Sequence, residues 1–315
     1  MNAPLNLPLA QPVIARDAAA RDGAELFDLL WSEPETKILV LYNGKTLLAG
    51  KSLRLFNTDE ATAGKYRVYL GRTSEAFEDL KPGTAVVLSV LSDNAAHALE
   101  PDSANWSELR RTGAGLSPSH ATLFTQALAI HNWHETHQFC PACGELTIMK
   151  QGGWSRFCIS EDRELFPRTD AAVIVSIIDN EDRILLGSQG SWEQNRWSIL
   201  AGFVEAAESL ESAVVREMFE ESGLLVTEPK YLGSQSWPYP YSLMLGFTAK
   251  VSEANSADSI KADGIEIAKL RWFTREELKA EAKQLRLPTR ISIARAMIEY
   301  WLGESIETAT ELEGK

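Results

Sequence analysis

The stretch from Gly202 to Leu224, GFVEAAESLESAVVREMFEESGL, constrains this chain more than any other part of its sequence. It fits the pattern G-x5-E-x7-R-E-aliphatic-x-E-E-x-G-aliphatic at every specified position. Fixed identities at residue frequencies of about one in fifteen give a chance match of roughly one in 10^8 for each starting position. The segment therefore predicts one defined local structure with one defined chemistry.

The second half of this segment is predicted to be a short helix that is fixed at both ends. Ser209 suits the N-cap, and Gly223 suits a left-handed stop. At about 100° per residue, Glu217, Glu220 and Glu221 fall inside an arc of about 100°. Three such carboxylates repel one another unless divalent cations bind them, and Mg²⁺ or Mn²⁺ suits carboxylate, water and phosphate oxygens best. The helix therefore predicts a site for divalent cations, which can bind phosphate oxygens and activate a water molecule.

A solvated amphipathic face is the ordinary alternative for a glutamate-rich helix. Gly202, Arg216 and Gly223 argue against it, because a helix that is merely soluble needs none of them at these spacings. The pattern favours the metal site.

The complete segment is the Nudix box, so the chain resembles Nudix hydrolases. Downstream, SQSWPYPYSLM (Ser234 to Met244) resembles the SQPWPFPxS array of the NADH pyrophosphatase branch, with departures at Ser236 and Tyr239. The resemblance implies hydrolysis of NADH to NMNH and AMP, with NAD as a related substrate, using Mg²⁺ or Mn²⁺. Members of this branch are also associated with removing NAD caps from RNA and with forming homodimers.

The resemblance also assigns roles to individual residues. Catalysis is assigned to the acids of the box with their arginine, and a further metal-binding glutamate lies outside it: Glu208, Arg216, Glu217, Glu220, Glu221 and Glu266. Arg216 pairs with Glu208 and braces the loop before the helix, while the identity of the general base is left open. Substrate contacts are assigned to Phe166, Phe203, Gln235, Trp237, Tyr239, Ser242 and Ala294.

The aromatic residues of the downstream segment also have a physical interpretation. Pro238 and Pro240 are expected to hold Trp237 and Tyr239 in a stiff extended segment, where their rings can stack on a ring of the dinucleotide. The alternative is a strand with aromatic core residues.

The three cysteines, Cys140, Cys143 and Cys158, lie close together in the sequence and predict a structural zinc site. Cys140-Pro-Ala-Cys143-Gly has zinc-knuckle spacing, and Cys158 begins a second half. The related family has a fourth cysteine where this chain has Glu161. Glutamate can bind zinc through oxygen, which would give a Cys3Glu site; the alternatives are a ligand borrowed from a residue such as His137, a weak site, or no metal and three buried free thiols.

The predicted fold class is α+β: a Nudix α/β/α sandwich with a mixed sheet, preceded by a small, mainly β domain and a zinc-ribbon-like segment. In the N-terminal domain, Asn43-Gly44 marks the best hairpin, and Ser117 begins a helix that reaches His134. The expected divisions are a mobile arm (1–23), a β-rich domain with its linking helix (24–134), the ribbon (135–168), the catalytic domain (169–305) and a tail (306–315). The catalytic domain is predicted to open on a hairpin formed by AAVIVSII and RILLGS, to continue through strands near 231–232, 243–251 and 268–273, and to close on a helix at 291–301.

The formal net charge of −13 disfavours broad binding to nucleic-acid backbones. Four basic residues nevertheless form a local patch that suits an RNA backbone: Lys150, Arg156, Arg163 and Arg168. No apolar run is long enough for a membrane span and the first twenty residues lack signal-peptide order, so a cytoplasmic location is expected.

Two other functions compete with the NADH pyrophosphatase interpretation. One is a broader Nudix pyrophosphatase that acts on ADP-ribose or dinucleoside polyphosphates. The other is a non-catalytic, ligand-binding regulator built on a Nudix domain. The intact glutamates argue against the regulator, as does the lack of a helix-turn-helix signature.

Overall fold

The computed structural model describes residues 5–60 and 64–312, which divide into two compact units. The N-terminal unit comprises Leu9–Thr169 together with Trp237–Tyr241. The C-terminal unit comprises Asp170–Ser236 and Ser242–Lys315 together with Met1–Pro8, as far as these ranges are described. Within the described residues, none of the helices has both the length and the apolar character that a membrane crossing requires.

The N-terminal unit is built on a mainly antiparallel five-stranded sheet, as predicted, and a smaller three-stranded sheet. The strands are β1 (Ile14–Ala15), β2 (Lys37–Leu41), β3 (Thr46–Ala49), β4 (Ser52–Leu53), β5 (Leu55–Phe56), β6 (Tyr66–Thr73), β7 (Ala85–Val90) and β8 (Trp106–Ser107). The larger sheet has the order β1-β6-β7-β2-β5, in which only β2 and β7 run parallel, and the smaller has the order β4-β3-β8. The predicted two-residue turn at Asn43-Gly44 is present, because Tyr42 and Lys45 exchange backbone hydrogen bonds across it.

Four helices complete this part of the unit: α1 (Leu26–Ser32), α2 (Asp93–Leu99), α3 (Leu109–Thr112) and α4 (Pro118–Thr136). The Ser117 side chain caps α4 and Pro118 occupies its first turn, as predicted. The helix continues two residues beyond the predicted end at His134. Most of its side chains are buried, so α4 runs through the interior of the unit.

The cysteine segment folds as a three-stranded antiparallel ribbon of order β11-β10-β9. Its strands are β9 (Ile148–Lys150), β10 (Ser155–Cys158) and β11 (Arg163–Leu165). This confirms the predicted zinc-ribbon-like segment.

The C-terminal unit contains the predicted mixed sheet, of order β15-β16-β12-β13-β17 with β14 paired to β12. Strands β12 and β16 run parallel, whereas β12 is antiparallel to β14 and to β13. The strands are β12 (Asp170–Ile178), β13 (Ile184–Ser188), β14 (Leu200–Phe203), β15 (Val226–Trp237), β16 (Ser242–Val251) and β17 (Lys269–Phe273), and the helices are α5 (Leu210–Ser222), α6 (Arg275–Glu281), α7 (Ile293–Leu302) and α8 (Ala309–Leu312).

Alternation along β12 explains why helices cover both faces of this sheet. Val173 and Val175 belong to the apolar cluster that contains Met218 of α5. Ile174 belongs to the opposite cluster, which contains Met297 of α7. Because successive side chains of a strand point to opposite faces, one β-branched run fills both cores and produces the predicted α/β/α sandwich.

Residues 5–23 differ from the loosely attached arm that the sequence suggested, whereas residues 1–4 lie outside the described residues. Leu7 joins a core cluster of the C-terminal unit. Leu9 and Val13 are buried in the N-terminal unit, where β1 pairs with β6. The apolar residues alternate with proline, asparagine and alanine, so an extended chain buries them although the segment lacks a helical or strand-like composition.

Candidate active site and metal centres

The box folds as predicted, with a loop after β14 that leads into α5. The Ser209 hydroxyl accepts a hydrogen bond from the backbone N–H of Ser212, and Gly223 ends the helix with a φ of 71°. Gly202 has a different function, because a Cβ built on it would lie 1.9 Å from the carboxyl carbon of Glu217. Only glycine at position 202 lets β14 approach the helix and leaves room for this carboxylate.

Arg216 connects the acids of the box. Its guanidinium forms a bidentate pair with Glu208 through two hydrogen bonds of 2.8 Å. It also donates to Glu217 at 2.8 Å, to Glu220 at 2.9 Å and to the Phe203 carbonyl oxygen at 3.0 Å. The hydrogen bonds from Arg216 lower the pKa of Glu208 to about 2. One arginine thus braces the loop and holds two carboxylates of the helix, so the predicted pair with Glu208 is present.

Glu221 is the most deeply buried acid of the box, with 5% of its surface exposed. Its Oε2 atom has no hydrogen-bond partner among the described residues. Burial, followed by the charges of Glu217, Glu266 and Asp263, raises the pKa of Glu221 to about 8. Burying a carboxylate oxygen without a donor is costly, and a divalent cation with oxygen ligands would remove that cost. The residues present therefore fit a catalytic metal site.

Asp263 is a residue of this site that the sequence analysis missed. Its carboxylate accepts the backbone N–H groups of Ile265, Glu266 and Ile267 at 3.2, 3.1 and 2.8 Å. These hydrogen bonds lower the pKa of Asp263 and fix the loop that carries Glu266. The Asp263-Gly264 pair is a turn signal that could have located this loop.

The aromatic segment is a turn, and the expectation of a stiff extended segment is wrong. Strand β15 ends at Trp237, and four residues connect it to β16. The Asn132 side chain of α4 donates to the carbonyl oxygens of Pro238 and Pro240 at 3.0 and 3.3 Å. A connection of four residues leaves no room for an extended segment. The side chain of Asn132 in α4 holds the turn by its backbone carbonyl groups.

The rings of this turn lie beneath an arginine that sequence reasoning did not identify. Trp237 and Tyr239 meet edge to face, with 5.0 Å between ring centroids. The Arg110 guanidinium carbon lies 4.2 Å from the centroid of Tyr239 and 5.7 Å from that of Trp237. The nearby sequence carries no signal for Arg110, because α3 is far from the turn along the chain. The three side chains form one cluster that is both cationic and aromatic.

The other predicted substrate contacts have different environments. Phe166 and Phe203 expose 63% and 58% of their surfaces, as a ring-contacting residue requires. Ser242 and Ala294 are buried. Gln235 is fully buried and its amide donates to the Ile291 carbonyl oxygen, so that amide stabilises the fold instead of facing a ligand.

The three cysteines form a metal-ligating cluster. The sulfur atoms of Cys140, Cys143 and Cys158 all lie within 4.8 Å of one another. Backbone N–H groups, that of Cys143 first, lower the pKa of Cys140 and favour its thiolate. The structure does not bring the Glu161 carboxylate into this cluster, because Glu161 lies exposed in the turn between β10 and β11. His137 is not a member either, and its Nδ1 is hydrogen-bonded to Thr136. The residues fit three of the four thiolates of a zinc ribbon.

Three known domain families match this chain. Residues 167–295 match the NUDIX domain, residues 35–133 match the NADH pyrophosphatase-like rudimentary NUDIX domain, and residues 135–166 match the NADH pyrophosphatase zinc ribbon domain.

Among solved structures, a crystal structure of a NUDIX hydrolase from Nitrosomonas europaea aligns with a TM-score of 0.41 and 23% identity, over 54% of this chain and 96% of that one.

Two curated relatives carry the same description. The NAD-capped RNA hydrolase NudC of Mycobacterium tuberculosis (strain ATCC 25618 / H37Rv) is 38% identical over 270 residues, which cover 79% of this chain and 85% of the relative. The NAD-capped RNA hydrolase NUDT12 of Homo sapiens is 35% identical over 201 residues, which cover 59% of this chain and 43% of the relative.

The matched domains and the intact box define a Nudix hydrolase. The chain belongs to the Nudix family, and within it to the NudC type of NADH pyrophosphatase and NAD-capped RNA hydrolase, with its rudimentary Nudix domain and zinc ribbon. The family predicted from the box and from the SQSWPYPYSLM segment is confirmed.

Metal-free protein should lose stability as the pH rises from about 5 to about 8. Glu221 in the folded chain stays protonated up to its pKa of about 8, whereas in the unfolded chain it ionises near 4.5. The unfolded state therefore binds fewer protons in this interval, and the free energy of unfolding falls with rising pH. Melting temperatures measured in EDTA should fall more steeply for wild type than for Glu221→Gln, with a difference in the total change of at least ~2 °C. Identical profiles would show that Glu221 is already ionised in the metal-free fold.

Proposed function

We propose that this protein hydrolyses the pyrophosphate bond of NADH, giving NMNH and AMP, and that it also acts on NAD and on the NAD cap of RNA. The observation that carries the proposal is the buried carboxyl of Glu221 in a complete Nudix box. The aromatic turn beneath Arg110 and the relatives described as NAD-capped RNA hydrolases support the choice of substrate.

Four glutamates of the site are proposed to bind metal, and other residues hold these glutamates in place. Mg²⁺ or Mn²⁺ would be held by Glu217, Glu220, Glu221 and Glu266, and would supply charge neutralisation and an activated water. Arg216 positions two of these carboxylates, and the Asp263 loop positions Glu266. The chain thereby fixes the oxygen ligands before substrate arrives.

The recognition surface differs from the hydrolytic site in chemistry. Trp237 offers a half-buried ring for stacking, and Arg110 adds a positive charge beside it. A pyrophosphatase that recognises only the phosphates of its substrate does not need a ring-binding surface of this kind. This arrangement favours a dinucleotide over ADP-ribose, which has one base.

The burial of Glu221 also bears on the proposal that the domain only binds ligand. A carboxyl in this position destabilises the metal-free fold, and a regulator without a catalytic ion would gain nothing from it. Catalysis therefore remains the better explanation. The homodimer, the cytoplasmic location and the divisions at 23, 134, 168 and 305 stay predictions.

Replacing Glu221 by Gln should lower kcat at saturating Mn²⁺ by at least ~100-fold, because the amide keeps the shape but loses the charge that binds metal. Glu211→Gln provides the matched control, since Glu211 is an exposed acid in the first turn of the same helix. NADH turnover of both variants would be measured after circular dichroism has confirmed their folding. A Glu221→Gln enzyme with more than about a tenth of wild-type turnover would disprove the assigned site.

Replacing Trp237 by Ala should weaken kcat/KM for NADH by ~1–3 kcal/mol, because a stacking surface is lost while the metal ligands remain. The loss on ADP-ribose should be smaller. Trp31→Ala is the control, because Trp31 is also a half-buried tryptophan beneath an arginine, Arg67, in the same unit. Equal losses on both substrates would mean that Trp237 supports the fold and does not select the dinucleotide.

Zinc should be present at about one ion per chain and should depend on the cysteines but not on Glu161. Elemental analysis of Cys140→Ser should show no zinc, and its melting temperature should be lower than that of wild type, with Mn²⁺-dependent activity retained. Glu161→Gln should keep the metal, since its carboxylate lies outside the cluster. Loss of zinc from Glu161→Gln would instead make Glu161 the fourth ligand.

A further inference from the structure

The N-terminal unit contains a cavity of about 900 Å³ that neither the hydrolytic site nor the zinc cluster uses. It lies between the start of β6, the chain that leads into α1, and the ribbon turn between β9 and β10. Its charged lining residues are Arg21, Arg67, Lys150, Asp22 and Glu164, which sum to +1. A positive cavity is unexpected in a chain whose net charge is −13.

Two arginines of the cavity lie over tryptophan rings. The guanidinium carbon of Arg67 lies 3.8 Å from the ring centroid of Trp31, and that of Arg21 lies 4.3 Å from the ring centroid of Trp154. Within the described residues, no carboxylate forms a salt bridge with Arg21, Arg67 or Lys150. A guanidinium over an aromatic ring is restrained there and can still donate from N–H groups that do not face the ring, which suits recognition of phosphate.

A second cavity, of about 430 Å³ in the C-terminal unit, provides a contrast. It also has basic side chains, Lys230 and Lys250. Both form salt bridges with Glu228, at 3.5 and 3.3 Å. The lysines of that cavity are therefore paired with a carboxylate of the protein, whereas Arg67 and Lys150 of the N-terminal cavity form no salt bridge among the described residues.

Aromatic side chains supply the remaining character of the N-terminal cavity. Phe27, Tyr66 and Phe157 line it. The Tyr66 hydroxyl is hydrogen-bonded to His131 at 3.0 Å and to Glu135 at 3.1 Å. These two hydrogen bonds to α4 restrain the orientation of the Tyr66 ring. Aromatic rings next to Arg67 and Lys150 match a ligand that has both a planar base and a phosphate.

The floor of the cavity is rigid. At Gly153, whose φ is +94°, a Cβ would lie 2.8 Å from a methyl group of Val68, and at Gly152 it would lie 2.9 Å from one of Leu26. The indole N–H of Trp154 donates to the Tyr69 carbonyl oxygen at 2.6 Å. The ribbon turn is thus seated directly on β6 and α1, so binding would need little rearrangement of the cavity.

We propose that this cavity is a nucleotide-binding site, in which Arg67 and Lys150 bind the phosphate and the aromatic side chains contact the base. The site is independent of the hydrolytic reaction and of its metal ions. The same chemistry is presented by a free mononucleotide and by one nucleotide of an RNA strand. One residue of the basic patch inferred from the sequence is excluded from such a role, because Arg156 is buried and bonded to Thr147 and His134.

Calorimetric titration of the full, zinc-loaded chain without added Mg²⁺ or Mn²⁺ would test the proposal, with AMP and a 5′-phosphorylated tetra-adenylate as separate probes. The double variant Arg67→Ala/Lys150→Ala should raise the Kd at least ~10-fold, since it removes both phosphate-binding charges. The control is Lys51→Ala/Arg54→Ala, which removes two exposed cations of the same unit, one of them also above an aromatic ring. Its Kd should equal that of wild type. Because AMP is also a reaction product, Trp237→Ala and Glu221→Gln would be titrated in parallel and should keep this binding.

A photoreactive 8-azido-AMP should label peptides that contain Tyr66 or Phe157, and the pocket variant should lose that label while hydrolysing NADH at the wild-type rate. Binding of both probes identifies a site for free nucleotide, and binding of the tetranucleotide alone identifies a site for an RNA strand. The proposal is overturned if neither probe binds at millimolar concentration, if the pocket and control variants bind equally, or if Trp237→Ala alone abolishes binding.

Discussion

Negative charges crowd the inner side of α5, and like-charge repulsion governs how the rest of the site is built. Burial is the largest cause of the raised pKa of Glu221, and the charges of Glu217, Glu266 and Asp263 raise it further. Arg216 offsets the repulsion on the side of Glu217 and Glu220. Nothing in the described residues offsets it at the Oε2 atom of Glu221. The protein therefore neutralises its outer carboxylates and leaves the inner one for a cation, at the cost of stability in the metal-free state.

The rudimentary Nudix domain holds the aromatic turn in place, and the ribbon lines a cavity. Asn132 of α4 holds the backbone of the aromatic turn, and Arg110 covers its rings. The turn is consequently ordered by side chains that come from elsewhere in the N-terminal unit. The turn between β9 and β10 of the ribbon also lines a cavity, together with β6 and α1. Both surfaces proposed for recognition in this unit thus form where segments distant in sequence meet.

Local elements could be predicted because their signals are local. Ser209 and Gly223 fix both ends of α5, and Ser117 and Pro118 fix the start of α4, since capping depends on a few neighbouring residues. The conformation of the aromatic turn is not predictable in this way, because two prolines are compatible with either a turn or an extended segment. The spacing of Glu161 favours a zinc ligand, but the geometry of the ribbon turn places its carboxylate outside the cysteine cluster.

By itself, the sequence determined the chemistry of the box, the β12 pattern that fills two cores, and the cysteines that can bind zinc. Each of these depends on residue type at a fixed spacing, which folding preserves along a helix, strand or knuckle. Only the tertiary structure decided which polar groups end without partners. It buried Gln235 against Ile291, brought Asp263 to Glu221, and placed Arg110 over Tyr239. These contacts join residues from separate elements, and burial and electrostatic coupling arise only when those elements have packed.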